Sequence, residues 1–147
     1  MKKGVSVVVI AVMALILCAC SKADKQVVDF TMLPQPAQTF VKTHFANKQV
    51  AIVYYDNDIF DKDYEVYFND GSKIKFESNG EWEEIEDKIM GVPMASVPAP
   101  ISQYVTARHA NLPITKIERK RYGYKVELAN EIEIKFNRGG QFLTYDD

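Results

Sequence analysis

The chain changes its hydrophobic period several times, and it does so twice in the same order. Ala37, Phe40, Val41 and His44 with Phe45 recur at helical spacing. Pro34 and Pro36 stand just ahead, where a helix entrance has no use for the missing N–H. Alternation then takes over. Val50 to Tyr55 read as one strand, and Tyr64-Glu65-Val66-Tyr67-Phe68 and Lys73-Ile74-Lys75-Phe76-Glu77 as two more joined near Asp70-Gly71, a hairpin-turn signal. Asn79-Gly80 turns the chain toward Glu81-Trp82-Glu83.

The second pass repeats the first. Leu33-Pro34-Gln35-Pro36 recurs as Val97-Pro98-Ala99-Pro100, and Ala37, Phe40 and Val41 as Ile101, Tyr104 and Val105, an offset of 64 that tightens to 60 after Asn111. Tyr64, Val66 and Phe68 then match Tyr124, Val126 and Leu128; Ile74-Lys75-Phe76 matches Ile134-Lys135-Phe136; Gly80 matches Gly140 and Trp82 matches Phe142. Asn130-Glu131 replaces the Asp-Gly turn. The shared place of Trp82 and Phe142 predicts a shared role in the core. One such unit is too small to bury a helix stripe and a sheet face by itself, whereas two side by side can. The expected architecture is α+β: two tandem helix-plus-antiparallel-meander repeats forming one sheet with both helices on one face, the other face partly solvated. The corresponding segments are repeat 1 over 33–88, a linker over 89–96 within the Gly- and Pro-bearing connection, and repeat 2 over 97–147.

Ahead of the repeats, Lys2 and Lys3 precede an uncharged apolar run from Val5 to Cys20, short for a membrane span and ordered like an export signal. Leu17-Cys18-Ala19-Cys20 resembles a bacterial lipobox, with leucine three positions before a cysteine and a small residue just before it. Cys18 at the middle position departs slightly from that pattern. The resemblance implies a lipoprotein signal peptide over 1–19, lipidation at Cys20 and an N-terminal tether over 20–32. Ser21 follows the cysteine; without aspartate there, enterobacterial sorting by analogy favours the outer membrane. The expected place is the cell envelope, lipid-anchored and periplasmic or outer-membrane, with the lipid as the membrane contact.

The tandem pattern, with its Leu-Pro entrance, Thr43-His44-Phe45 at the helix end, Val-x-Phe before Asp-Gly, and Phe-x-x-x-Gly-x-Trp, resembles the PepSY-like family of beta-lactamase-inhibitor-like proteins over residues 33 to 147. The resemblance implies a periplasmic or surface-anchored lipoprotein of Gram-negative bacteria, a fold like that of the beta-lactamase inhibitor protein, and no assigned enzymatic activity. It also implies as partner an envelope protein such as a peptidase or other hydrolase, because related PepSY domains occur in peptidase propeptides.

Composition narrows the chemistry. The 147 residues carry 18 basic and 20 acidic side chains, two cysteines and two histidines, so a cysteine-rich zinc site cannot be built and a dedicated nucleic-acid binder is disfavoured. Removal of residues 1–19 leaves 128 residues, with 16 basic against 20 acidic side chains and no free thiol. The charge divides unevenly: residues 33–88 are net −6 and residues 97–147 net +2, a dipole that can orient a protein partner within the reach of about one Debye length, about 8 Å. No Gly-rich phosphate loop, Gly-x-Ser-x-Gly elbow or His-Glu-x-x-His helix is present. His44 and His109 each fall near a helix end and read as capping or packing residues. Glu83-Glu84 with Glu86-Asp87 reads as a solvated acidic run.

Two features remain as candidate sites. Asp56, Asp58, Asp61 and Asp63 crowd the first hairpin, where they offer oxygen ligands to calcium; Asp61 occupies the glycine position of an EF-hand and Tyr67 the bidentate-glutamate position, so that loop is excluded. The competing reading is a solvated turn whose charges keep an edge strand soluble. Tyr55, Phe60 and Tyr122 lie at or near the two hairpins that differ between the repeats, and loops of this kind make partner contacts. The expected function is therefore a non-enzymatic, inhibitor-like or other protein-binding module, the alternative a calcium-responsive periplasmic binding protein using hairpin 56–63.

Overall fold

The computed structural model describes residues 25–58 and 60–146. The signal segment 1–19 and Cys20 lie outside the described residues. Along the chain come β1 (Gln26–Val28), a 3-10 turn at Phe30–Met32, α1 (Gln35–His44), β2 (Val50–Asn57), β3 (Lys62–Phe68), β4 (Lys73–Glu77) and β5 (Trp82–Glu86). A second 3-10 turn at Met94–Ser96 leads to α2 (Ala99–Arg108), β6 (Ile114–Lys120), β7 (Gly123–Leu128), β8 (Glu133–Asn137) and β9 (Phe142–Asp146). All nine strands form one antiparallel sheet in chain order.

Both helices start on proline: Pro34 and Pro98 are N-caps and Pro36 and Pro100 sit in the first turn, where their fixed φ suits the helix and no hydrogen bond is lost. Turn chemistry joins the strands. Gly80 has φ +85 and a Cβ there would lie 2.9 Å from the Cβ of Pro34, so glycine satisfies both the left-handed turn and the close approach of the helix entrance. Glu131 in the β7–β8 turn holds a left-handed φ of 68, as Gly71 in the β3–β4 turn holds one of 86.

Register decides the faces. Val66 pairs with Ile74, Ile74 with Ile85, Ile85 with Ile117, Ile117 with Val126 and Val126 with Ile134, which draws one apolar row across six strands. All six residues are fully buried. Phe40 of α1 lies edge-on to Phe76 of β4 at 5.9 Å, Tyr104 of α2 edge-on to Phe136 of β8 at 5.3 Å, and Ala37, Val41, Ile101 and Val105 are buried. The alternate residues, among them Glu65, Lys75, Glu84, Glu118, Lys125 and Lys135, form a charged row on the opposite side. Among the described residues, no helix is long and apolar enough to cross a membrane.

Two expectations need correction. Trp82 is buried as expected, but Phe142 is 39% exposed, because β6 and β7 continue the sheet beside Trp82 while Phe142 lies on the edge strand. Arg119 stacks over the Trp82 ring at 4.7 Å and Tyr124 lies 6.1 Å away. The acidic run after Trp82 is not a solvated face: Glu84 is bridged by Lys73 and Lys116 at 2.8 and 3.4 Å, and Asp87 is 1% exposed. Gln26-Val27-Val28 form a strand that the sequence does not announce, paired with Tyr55, Tyr54 and Val53; three residues are too few for a period to show.

Candidate functional surface

Because every strand reverses its neighbour, the β2–β3 loop and the β6–β7 turn fall at the same end of the sheet. Four strand spacings separate them, about 19 Å. Phe60 stands in the first loop with 95% of its surface exposed. Tyr122 forms the second turn, 40% exposed, with the Lys135 ammonium 6.0 Å from its ring centroid. Tyr55 belongs to the opposite side of β2 from Asp56 and is half-buried, its ring 4.8 Å from that of Tyr64 and its hydroxyl 3.3 Å from Asn57 Oδ1. The three predicted contact residues thus occupy one end of the molecule without touching one another.

The four aspartates of the first hairpin are separated by their register. Asp56 pairs directly with Asp63, and Asp63 with Glu77, which stacks three acidic residues across adjacent strands. Asp63 is buried, and its Oδ2 accepts the Lys75 ammonium at 2.8 Å. Lys75 also reaches Glu83 at 3.1 Å and Asp61 at 3.8 Å, while Asp58 is exposed in the loop. The Oδ1 atoms of Asp56 and Asp63 are buried with no hydrogen-bond partner. Burial pushes the Asp63 carboxyl above the usual range, and the hydrogen bond and charge of Lys75 only partly offset it. Burial acts to lower the Lys75 pKa, but hydrogen bonds to Asp63 and Glu83 outweigh it, so the ammonium is held strongly protonated. Calcium needs six to eight oxygens, and this corner presents the two unpaired ones of Asp56 and Asp63 beside a lysine that occupies a third. Among the described residues, no three His, Cys, Asp or Glu side chains converge as a metal-binding group.

The charged face is a lattice of cross-strand ion pairs. Lys125 bridges Glu133 at 2.7 Å, Lys135 bridges Asp146 at 2.6 Å, and Lys116 reaches both Glu84 and Glu118 at 3.4 Å. The histidines pack at helix ends: the His44 ring lies 4.7 Å from Phe40, and His109 Nε2 lies 3.0 Å from the Tyr145 hydroxyl.

Sequence reasoning missed an ion cluster at the opposite end of the sheet. Lys48 joins Asp70, in the β3–β4 turn, and Asp87, just after β5, the latter at 2.6 Å. Asp87 also accepts the backbone N–H groups of Ile89 and Met90 at 3.1 and 2.8 Å, so it holds the connection toward α2 in place. The Asp-x-x pattern of a turn is visible in sequence, but its distant lysine is not.

The family model described as "putative beta-lactamase-inhibitor-like, PepSY-like" matches residues 20–61 and 62–144. The chain belongs to this family. Among solved structures, a "putative calcium-regulated periplasmic protein" from Bacteroides thetaiotaomicron is 38% identical with a TM-score of 0.81, covering 84% of this chain and 98% of its own. Two structures from Bacteroides vulgatus, each described as a "putative periplasmic protein", are similar at 39% and 36% identity, with TM-scores of 0.80 and 0.78. The first covers 86% of this chain and 99% of its own, and the second 84% and 100%. No curated protein matches. The chain thus shares its mostly antiparallel α+β fold with these solved structures.

Proposed function

We propose that this PepSY-like chain is a lipid-anchored envelope protein that binds another envelope protein, a peptidase or other hydrolase, as an inhibitor-like module. In this reading it has no enzymatic activity of its own. It is a duplicated unit, 33–88 and 97–147, with both helices on one face of the sheet and the anchor at Cys20. The observation that carries the reading is Phe60, a large aromatic side chain 95% exposed at the tip of a hairpin, at the same end as the half-exposed Tyr122. A buried core has no use for such a residue, whereas a partner's cleft does. The family description points the same way. Capture of envelope proteins by the wild-type chain is compared with capture by one carrying Tyr55→Ala, Phe60→Ala and Tyr122→Ala. Loss of a specific partner with unchanged folding supports the reading, and equal capture of every partner by both forms refutes it. For the anchor, Cys20→Ser must abolish fatty-acid labelling; continued labelling refutes lipidation there.

A second reading is favoured by the calcium-regulated description of the 38% identical relative together with the unpaired oxygens of Asp56 and Asp63. Here Asp56, Asp58, Asp61 and Asp63 take up calcium as Lys75 swings to Glu83. Millimolar calcium then raises the melting temperature, and Asp56→Asn removes the rise. No shift in the wild type sinks this reading.

A further inference from the structure

The repeat itself shows what belongs at the outer edge of β9. At an offset of 60, Phe142, Leu143, Thr144, Tyr145 and Asp146 occupy the places of Trp82, Glu83, Glu84, Ile85 and Glu86 in β5. Along β5 those places are completed by β6: Ile117 lies opposite Ile85, Lys116 opposite Glu86, Glu118 opposite Glu84, and Arg119 covers the Trp82 ring. Trp82 and Ile85 are then 7% and 0% exposed. Along β9, which among the described residues pairs only with β8, Phe142, Leu143 and Tyr145 are 39%, 48% and 45% exposed.

Edge strands are ordinarily guarded by short length, proline or inward charge. The other edge, β1, follows that rule, with three residues between Lys25 and Asp29. β9 does not, since its five residues carry two aromatics and a leucine. Its aromatics are also held in place from below: Tyr104 stacks on Phe142 at 5.1 Å with rings 7° from parallel, and His109 meets the Tyr145 hydroxyl. Beside Tyr145 and Asp146 lies a hollow of about 530 Å³ whose wall carries Ile132 and the carboxylates of Glu131 and Glu133.

We propose that the open edge of β9 docks an extended segment of another polypeptide by strand addition. The segment has the pattern that β6 presents to β5 in Lys116-Ile117-Glu118-Arg119: a basic residue opposite Asp146, an aliphatic one opposite Tyr145, and an arginine over Phe142. Main-chain hydrogen bonds supply affinity in such additions, and the alternating side chains select the sequence. This surface is separate from the hairpin loops of the proposed protein-binding reading.

The probe is a labelled peptide with the sequence of residues 113–122, titrated into the full chain, with a second peptide carrying Ile117→Asp as control. The expected result is saturable binding with amide shifts centred on Phe142–Asp146, and about a tenfold loss of affinity for the chain carrying Tyr145→Ala, as truncation of a central aromatic anchor costs. The chain carrying Tyr55→Ala, Phe60→Ala and Tyr122→Ala binds the peptide as wild type does, so loss of the hairpin surface and loss of the edge register separately. Equal binding of both peptides overturns the proposal, as does a response centred on the β5–β6 seam. A concentration-dependent dimer that Tyr145→Ala dissolves and the peptide does not compete with also overturns it, because a second copy would then own the edge.

Discussion

Replacing Lys48 by methionine should cost more stability than any other single change of a charged residue in this domain. The Lys48 side chain is 8% exposed and that of Asp87 is 1% exposed, so the pair is desolvated, and removal of the cation leaves a buried carboxylate without its counterion. Breaking such a pair from one side costs about 3–5 kcal/mol. The two backbone N–H groups that Asp87 retains place the loss at the lower end, about 3 kcal/mol. For a folded unit of about 120 residues the unfolding entropy is about 0.25 kcal/mol per degree, so the melting temperature should fall by about 12 °C. The acid limb changes too. The Lys48 ammonium, with the Ser72 hydroxyl and N–H, draws the Asp70 carboxyl down to about 2. A carboxyl lowered in the folded state stabilises it above the unfolded value near 4, and that contribution is lost as pH falls from about 4 toward about 2. In Lys48→Met this part of the acid limb should shrink. The assay is urea and thermal unfolding of wild type, Lys48→Met, Asp87→Asn and the double variant, from pH 7 down to pH 2. A fall of less than about 3 °C for Lys48→Met, or a coupling energy below about 0.5 kcal/mol in the cycle, would refute the view that this ion pair clamps the loops.

Trp82→Ala should cost about 3–5 kcal/mol in urea unfolding and Phe142→Ala about 1 kcal/mol, since one ring is enclosed by two further strands and the other half faces solvent; equal losses would contradict the edge assignment. Glu131→Gly should stabilise by about 0.5–1 kcal/mol, because glycine adopts φ 68 without the strain a side chain incurs, and a lower melting temperature would refute this. Asp56→Asn should raise stability at pH 7 by about 0.2–1 kcal/mol by relieving the repulsion with Asp63, a gain that fades on acidification as the buried Asp63 takes up its proton; destabilisation at pH 7 would show that the two carboxylates are not in conflict. Phe60→Ala should leave the melting temperature unchanged within about 0.5 kcal/mol of stability, since the ring touches solvent and not the core.

Period and turn chemistry were legible along the chain. The helix stripe of Ala37 and Val41, the alternation of Val66 and Phe68 with Ile74 and Phe76, and the turns at Gly71 and Gly80 are local signals, and each strand they predict is present. The hairpin residues were nameable as candidates, but their surroundings were not legible: Tyr55 turns onto the side of Tyr64, and Asp63 turns into Lys75, because strand register assigns alternate residues to opposite faces.

By itself, then, the sequence determined the helices, the longer strands, their order and the α+β class, but not the three-residue β1, since helical and strand periods and glycine turns act over a few residues. Tertiary structure alone decided what depends on neighbours brought from far along the chain. Lys48 meets partners 22 and 39 residues away. Trp82 and Phe142, alike in their local sequence pattern, differ in burial because one has β6 beside it and the other stands at the edge of the described sheet. Burial is a property of what lies next to a strand, and a strand at the edge of a sheet lacks the neighbour that an inner strand has.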